Sequence, residues 1–230
     1  MSVLHLRQPL AAVFFDLDGT LADTATDLSL PINAMRQAQG LPALELSILR
    51  PHASHGARGL IGKGLGISPE DHRYEALRQD FLARYEAAMV VHTTLFEGMT
   101  EVLAALEARG IAWGVVSNKV ERYVRPIMAA LGVLDRAVSA VGGDTTPHAK
   151  PHPEPLLHAA RLARVDPSAC VYIGDDLRDV HAGRAAGMAT IAAAYGFCGE
   201  EPPVSAWGAD ALIEHPRELL DHLGLSQRAA

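Results

Sequence analysis

The sequence predicts an α/β fold built on a doubly wound parallel sheet, with a helical insertion near the start of the chain. Short apolar runs alternate with longer helical patterns over most of the 230 residues. This alternation is typical of a parallel sheet that is covered by helices on both faces. Between Thr24 and about Val91 the apolar runs stop and only helical periodicity remains. An insertion of about 70 residues therefore interrupts the first strand–helix crossover.

Six apolar runs, bounded by Gly, Asp or Asn, predict the strands of a Rossmann-like sheet. They cover residues 13–15, 112–116, 138–141, 171–173, 190–193 and 211–213. Amphipathic patterns between them predict helices over 99–109, 123–131, 153–163 and 177–186. Gly110, Gly132 and Gly187 follow three of these patterns, where glycine commonly ends a helix.

Within the insertion, the pattern predicts helices over about 28–39 and 69–89. Leu77, Phe81 and Tyr85 recur at helical spacing and indicate one apolar face. The predicted division is therefore a catalytic domain of residues 1–23 and 93–230 and a helical domain of residues 24–92.

Composition excludes several classes of partner. Acidic residues outnumber basic ones by 27 to 20, a net charge of −7, which argues against nucleic acid and anionic membranes as partners. No apolar run approaches the length of a membrane span. Two cysteines, Cys170 and Cys198, cannot form a disulfide framework or a four-cysteine zinc site. We expect a cytoplasmic protein.

Polar residues of unusual type follow four of the predicted strands. They form the segments Asp16-Leu17-Asp18-Gly19-Thr20, Ser117-Asn118-Lys119, Lys150-Pro151 and Gly174-Asp175-Asp176-Leu177-Arg178-Asp179. Ligands of open parallel sheets bind at the carboxyl ends of the strands, so these segments are expected to meet in one crevice. Several carboxylates buried together need a cation, and oxygen ligands without clustered Cys or His favour Mg²⁺.

In order and spacing, these segments resemble the four motifs of the haloacid dehalogenase-like phosphohydrolases. The resemblance spans nearly the whole chain, and within that superfamily it is greatest to the phosphoglycolate phosphatase group, whose helical cap is inserted after the first motif. Further segments are similar to the N-acetylmuramic acid 6-phosphate phosphatases of cell-wall recycling. These are residues 95–99, 113–119, 174–179, 195–196 and 207–210.

The resemblance implies a Mg²⁺-dependent phosphatase that forms an aspartyl-phosphate. Asp16 would be the nucleophile and Asp18 the general acid and base. The remaining roles are phosphate binding by Ser117, Asn118 and Lys150, metal binding by Asp16, the carbonyl of Asp18 and Asp175, and retention of the metal's waters by Asp179 and Asp176. Gly19 is expected to allow a tight turn, and Thr20 to cap the following helix.

Several residues outside the motifs have two open interpretations. His55-Gly56-Ala57-Arg58-Gly59 is expected to form a Gly-flanked loop that selects the substrate, with Arg58 pairing with a substrate carboxylate or remaining solvated. Lys119 either joins the site or lies in a solvated loop. Asp23 is a candidate for orienting the hinge of the cap, whereas Lys63 is expected at the surface.

The expected ligand is a small phosphate monoester, either 2-phosphoglycolate or N-acetylmuramate 6-phosphate. The chain is expected to be a monomer or a homodimer. Alternatives are a sugar phosphomutase of the same superfamily and a protein that binds Mg²⁺ and phosphate without turnover. A haloacid dehalogenase does not need a second aspartate, so Asp18 argues against that reaction.

Overall fold

A computed structural model describes residues 4, 6, 8–199 and 202–226 of the chain. Its strands are β1 (Ala12–Phe15), β2 (Ala22–Asp23), β3 (Thr94–Leu95), β4 (Ala112–Val116), β5 (Ala140–Val141), β6 (Cys170–Gly174), β7 (Ala189–Ala193) and β8 (Ala211–Ile213). Six of them form a parallel sheet in the order β5-β4-β1-β6-β7-β8. The chain leaves central β1 toward one edge and later returns to build the other, which confirms the predicted doubly wound sheet.

Nine α-helices accompany these strands in the described ranges. They are α1 (Ala25–Ala38), α2 (Leu46–Ala53), α3 (Gly56–Leu65), α4 (Tyr74–Ala87), α5 (Met99–Glu107), α6 (Glu121–Ala130), α7 (Glu154–Ala163), α8 (Leu177–Ala185) and α9 (Glu218–His222). None of the described helices has the combination of length and hydropathy that a membrane span requires. The four helices predicted for the sheet domain appear within a few residues of their expected bounds.

The two faces of the sheet are both covered because alternate strand residues point to opposite sides. Val13 and Phe15 pack in the cluster that includes residues of α5 and α6. Ala12 and Phe14 pack in a second cluster with residues of α7 and α8. All four residues of β1 are fully buried, which explains why this strand is continuously apolar.

The edge strand β5 is shorter than predicted. Residues 138–141 were expected to form it, but only Ala140 and Val141 pair with Val115 and Val116. Val138 is 41% exposed, since nothing in the described sheet continues beyond this edge. The N–H of Val138 still donates to the carbonyl of Trp113 in β4, so the predicted segment runs beside the sheet although only its last two residues form strand pairs.

Helices α1 to α4 lie between β2 and β3, which pair antiparallel and bring the two ends of the insertion side by side. Asp27 of α1 strengthens this junction. It is 1% exposed, and its carboxylate accepts hydrogen bonds from the backbone N–H groups of Val91, His92 and Thr93. The start of α1 is thereby fastened to the chain that returns to the sheet.

The insertion contains four helices where the sequence predicted two. The segment from His55 to Gly59, expected as a loop, instead begins α3, so that prediction is wrong. Its glycines permit close helix packing. A Cβ atom at Gly59 would overlap the carbonyl of His52 in α2, and one at Gly64 would overlap Ile32 in α1. Tertiary contact therefore outweighs the low helix propensity of glycine here.

Candidate active site

The site begins at the carboxyl ends of three adjacent strands. β4, β1 and β6 are neighbours in the sheet, and they are followed by Ser117, Asp16 and Asp175. Gly19 has a φ of +83° and turns the chain back toward the sheet after Asp18. A Cβ atom at Gly19 would overlap the Asp175 carboxylate, so the close approach of these two motifs requires glycine.

Three carboxylates converge at this edge. Oxygens of Asp16, Asp175 and Asp179 all lie within 4.8 Å of one another. Asp175 is fully buried and Asp179 is 1% exposed. Burial raises the pKa of the Asp175 carboxyl, and the nearby charges of Asp16 and Asp179 raise it further. This crowding of negative charge is what a bound cation relieves.

Thr20 contributes to this cluster rather than to a helix. Its hydroxyl donates to Asp175 Oδ1 at 2.8 Å. The expectation that it caps the following helix is wrong, because β2 intervenes and α1 begins only at Ala25. The other Asp175 oxygen, Oδ2, accepts from the backbone N–H of Phe197 at 2.9 Å.

Lys150 is the buried cation of the site. Its Nζ lies 3.0 Å from Asp16 Oδ1 and 2.7 Å from Asp179 Oδ1. Burial opposes the charge on the ammonium group, but these two carboxylates outweigh it and raise the pKa of Lys150. The lysine is therefore a fixed positive charge beside the candidate nucleophile.

Tyr172 is a residue of this network that the sequence analysis missed. It lies in β6, and its hydroxyl accepts from Lys150 Nζ at 2.8 Å and donates to the carbonyl of Val116 at 2.8 Å. A tyrosine inside a buried apolar strand needs a partner for its hydroxyl. That requirement is the signal that could have identified it.

The loop after β4 supports the lysine. The side-chain amide of Asn118 donates to the carbonyl of Lys150 and accepts from its N–H, each at 2.9 Å. Asn118 therefore holds the Lys150 segment against the end of β4. Ser117 is 3% exposed, and its hydroxyl oxygen accepts from the N–H of Lys119.

Lys119 lies in the site and not in a solvated loop. Its Nζ lies 3.0 Å from Asp18 Oδ2 and 4.7 Å from the centre of the Tyr85 ring. The other oxygen of Asp18 accepts from the hydroxyl of Thr24 at 2.6 Å. Tyr85 was predicted only as part of an apolar helical face, and packing between α4 and the sheet domain brings it here.

The last motif also reaches the insertion. Asp176 accepts two hydrogen bonds from the guanidinium group of Arg178, which in turn donates to the carbonyl of Ser54 at 2.9 Å. The hydroxyl of Ser54 is 3.3 Å from Asp175 Oδ2. The turn between α2 and α3 is therefore held over the carboxylate cluster.

Asp23, the candidate hinge residue, pairs with Arg50 of α2 at 2.9 Å. The guanidinium group of Arg50 also lies 4.9 Å from the ring centre of Phe197. These contacts connect the start of the insertion to α2 and to the loop after β7.

The motifs and the insertion enclose one cavity of about 310 Å³. The part of the cavity lined by motif residues, here called its inner end, comprises Asp16, Asp18, Ser117, Asn118, Lys119, Lys150, Asp176, Arg178 and Asp179. Residues of the insertion and of α6 line the outer end, among them Leu28, His55, Arg58, Tyr74, Arg78, Phe81, Leu82, Tyr85 and Tyr123. Arg58 and His55 line the cavity from exposed positions at the start of α3, and their role in selecting the substrate stays a prediction.

A family model of the haloacid dehalogenase-like hydrolases matches residues 13–193. The chain is 45% identical over 217 residues to the N-acetylmuramic acid 6-phosphate phosphatase of Pseudomonas aeruginosa, covering 94% of this chain and 96% of the relative. It is 44% identical over 209 residues to the phosphoglycolate phosphatase of Xanthomonas campestris pv. campestris, covering 90% of this chain and 94% of the relative.

The fold has close structural counterparts as well. A crystal structure of a predicted phosphoglycolate phosphatase from Haemophilus somnus superposes with a TM-score of 0.81 at 25% identity, covering 94% of this chain and 98% of the other. Together, these relatives confirm the resemblance that the four motifs indicated, and the predicted class of enzyme, a phosphatase. The chain belongs to the haloacid dehalogenase-like hydrolase family.

Proposed function

We propose that this protein is a Mg²⁺-dependent phosphatase that hydrolyses a small acidic phosphate monoester through an aspartyl-phosphate on Asp16. One observation carries the proposal: Asp16, Asp18 and Lys150 all line the inner end of a single cavity. A nucleophile, a proton donor and a fixed positive charge are the groups that phosphoryl transfer requires.

In the first step, an Asp16 carboxylate oxygen attacks phosphorus while the bond from phosphorus to the ester oxygen breaks. Asp18 gives its proton to the departing alkoxide. Lys150 balances the negative charge of the phosphoryl group, and Ser117 with the N–H groups that follow it binds phosphoryl oxygens. Since Asn118 and Tyr172 hold Lys150 in position, this charge needs little rearrangement when the substrate arrives.

In the second step, Asp18 takes a proton from water, whose oxygen attacks phosphorus. The bond between phosphorus and the Asp16 oxygen breaks, which releases phosphate and regenerates the carboxylate. Two carboxyl groups are needed because the one bonded to phosphorus cannot also transfer protons.

The carboxylate cluster suits a hard divalent cation. Its donors are oxygens only, and the pKa of Asp175 is raised by burial and by the neighbouring carboxylates. Asp16, Asp175 and the carbonyl of Asp18 would hold Mg²⁺, with Asp179 and Asp176 holding its waters. The bound ion would neutralise phosphoryl oxygens and help to orient them.

The outer end of the cavity favours a substrate larger than a two-carbon acid. Beyond the motif residues it offers apolar and aromatic walls from Leu28, Phe81, Leu82 and Tyr123. The sugar of N-acetylmuramate 6-phosphate has methyl groups for such walls and a carboxylate for Arg58. We therefore propose N-acetylmuramate 6-phosphate as the substrate, with residues 24–92 acting as the cap that selects it.

2-Phosphoglycolate is the second candidate. Lys119 lies beside Asp18, where it could reach a carboxylate attached to the carbon that carries the phosphate ester. The name of the Xanthomonas relative agrees with this substrate. The two candidates differ in how far their carboxylate lies from the phosphate.

Phosphate release from a panel of phosphorylated metabolites tests the proposal. The panel includes N-acetylmuramate 6-phosphate, 2-phosphoglycolate, glucose 6-phosphate and phenyl phosphate, each with Mg²⁺ or with a chelator. We expect Mg²⁺-dependent turnover that is fastest with N-acetylmuramate 6-phosphate. Asp16→Asn is the matched control, since it removes the nucleophilic charge and keeps the shape of the side chain.

Absence of turnover by the folded protein with every ester would favour a binding protein without activity. Conversion of one sugar phosphate into its isomer, with no phosphate released, would favour a phosphomutase. Turnover restricted to 2-phosphoglycolate would overturn the proposal that N-acetylmuramate 6-phosphate is the substrate. It would still agree with the proposed mechanism.

A further inference from the structure

Lys119 lies next to the position that the leaving group of the substrate must occupy. If Asp18 protonates the ester oxygen, as the proposed function requires, its carboxyl must come within hydrogen-bond distance of that atom. Lys119 Nζ is only 3.0 Å from Asp18 Oδ2. If the proton comes from that oxygen, the ammonium group lies within about 6 Å of the ester oxygen, two hydrogen-bond lengths away.

The surroundings of Lys119 keep it charged and fixed. Its side chain is 9% exposed, and it lies between Asp18 of the sheet domain and the Tyr85 ring of α4. A cation over an aromatic face is favoured electrostatically. The ion pair with Asp18 and the ring of Tyr85 together hold the ammonium group in place.

The ammonium group has capacity for a ligand. A lysine carries three N–H donors. Among the described residues, Asp18 and Tyr85 are the only partners of Lys119 Nζ, so one donor is left beside the cavity. A buried cation with a spare donor at this point recognises an oxygen acceptor on the leaving group.

From this geometry we propose that Lys119 is a specificity-determining residue that binds an oxygen on the carbon next to the esterified carbon of the substrate. The inference rests on the proposed function and narrows its substrate class. The preferred ligand is the phosphate ester of a primary alcohol whose neighbouring carbon carries oxygen. Two carbon atoms separate such an oxygen from the ester oxygen. This separation can place the acceptor within hydrogen-bond distance of Nζ.

Both candidate substrates belong to this class. In 2-phosphoglycolate the neighbouring carbon is the carboxylate itself. In a hexose 6-phosphate the neighbouring carbon carries the ring oxygen. Ethyl phosphate has the same primary ester but only hydrogen at that carbon, so it is the matched probe without the acceptor.

The experiment compares kcat/KM for whichever candidate substrate is hydrolysed faster with kcat/KM for ethyl phosphate. Loss of Asp18 function would slow the hydrolysis of both esters by a similar factor. The ratio of the two kcat/KM values therefore separates recognition by Lys119 from any effect on the general acid. We expect the ratio to be large in the native protein and to fall about 10-fold or more in Lys119→Met, since hydrogen bonds from charged donors are strong. Lys119→Arg should retain most of the ratio.

Lys63→Met is the control, because Lys63 is an exposed lysine of α3 that does not line the cavity. It should leave the ratio unchanged. The measurement on the native protein needs no variant, so the inference remains testable even if Lys119→Met does not fold.

Equal kcat/KM values for the two esters in the native protein would overturn the inference. So would a ratio that Lys119→Met leaves unchanged, which would mean that the lysine only positions Asp18. Either result leaves the phosphatase assignment intact, provided that the native protein releases phosphate in the presence of Mg²⁺. No release from any ester would instead reject the proposed function.

Discussion

The sheet edge and the start of α3 line the same cavity with side chains that differ in exposure. At the sheet edge, Lys150, Asp175 and Asp179 are 4%, 0% and 1% exposed, and each is held by hydrogen bonds to other motif residues. In the insertion, His55 and Arg58 are exposed and approach the cavity from the start of a helix. Buried, mutually bonded groups suit chemistry, whereas exposed groups can be exchanged to suit a different substrate.

The two groups of residues should respond differently to substitution. Substitutions at the sheet edge should lower kcat for every substrate, because the proposed role of these residues is to act on the phosphoryl group that all substrates share. Substitutions in the insertion should raise KM for some substrates and spare others.

Replacing Asp18 with Asn should have the largest effect. General acid and base catalysis contributes about 10²–10⁴-fold, so kcat for an alkyl phosphate should fall by that factor. p-Nitrophenolate can leave without a proton, so this ester should still phosphorylate Asp16 in the variant. Rapid mixing should then show a burst of one p-nitrophenol per protein, followed by slow turnover. Slow release of p-nitrophenol without a burst would contradict the role of Asp18 as the general base of the second step.

Removing the metal should be the next largest change. At a Mg²⁺ concentration 100 times its dissociation constant, binding should stabilise the folded protein by about 2.7 kcal/mol. Thermal unfolding with Mg²⁺ or with a chelator measures this difference. Asp175→Asn should abolish the response to Mg²⁺, while Asp166→Asn, at an exposed turn, serves as the control. An equal response in both variants would locate the metal elsewhere.

Removal of one hydroxyl at the sheet edge should have a moderate effect. Tyr172→Phe removes a hydrogen-bond partner of Lys150. It should lower kcat about 5-fold with little change in KM, a factor that corresponds to the loss of one ordinary hydrogen bond. Thr190→Val is the control, because it also removes a buried hydroxyl, but one that donates to Asp210 and does not line the cavity. Steady-state kinetics on phenyl phosphate distinguish the two. A change in KM alone would refute a positioning role.

The smallest effect should come from the insertion. Arg58→Ala should raise KM about threefold for a substrate with a carboxylate, because an exposed ion pair contributes little free energy. KM for phenyl phosphate should stay the same. Arg84→Ala, on α4 and paired with Asp80, removes a cap arginine that does not line the cavity and provides the control. If KM rises equally for both esters in Arg58→Ala, this arginine does not recognise the carboxylate.

The grouping of polar residues at the sheet edge was predictable because strand ends leave a local pattern. A buried strand is continuously apolar, so the polar residues that follow it, such as Asp16 or Asp175, are conspicuous. The parallel arrangement then brings distant strand ends to one edge. Thr20 shows where this reasoning stops, since a threonine after a glycine can cap a helix or, as here, bond to a carboxylate 155 positions away.

The insertion was less predictable because its glycines have two interpretations. Gly56 and Gly59 suggested a loop, yet Gly59, together with Gly64, allows α3 to pack closely on α2 and α1. The choice between a loop and a tightly packed glycine-containing helix depends on what lies opposite each glycine. No local pattern carries that information.

By itself, the sequence determined the doubly wound sheet, the presence of a helical insertion and the identity of the motif residues, because each depends on the order of apolar and polar residues along a short segment. Only the tertiary structure decided that Tyr172 supports Lys150, that Tyr85 packs on Lys119, and that Ser54 approaches Asp175. These contacts join segments far apart in the chain. They form because helices and strands pack as whole surfaces, and the position of one side chain on such a surface depends on all the others.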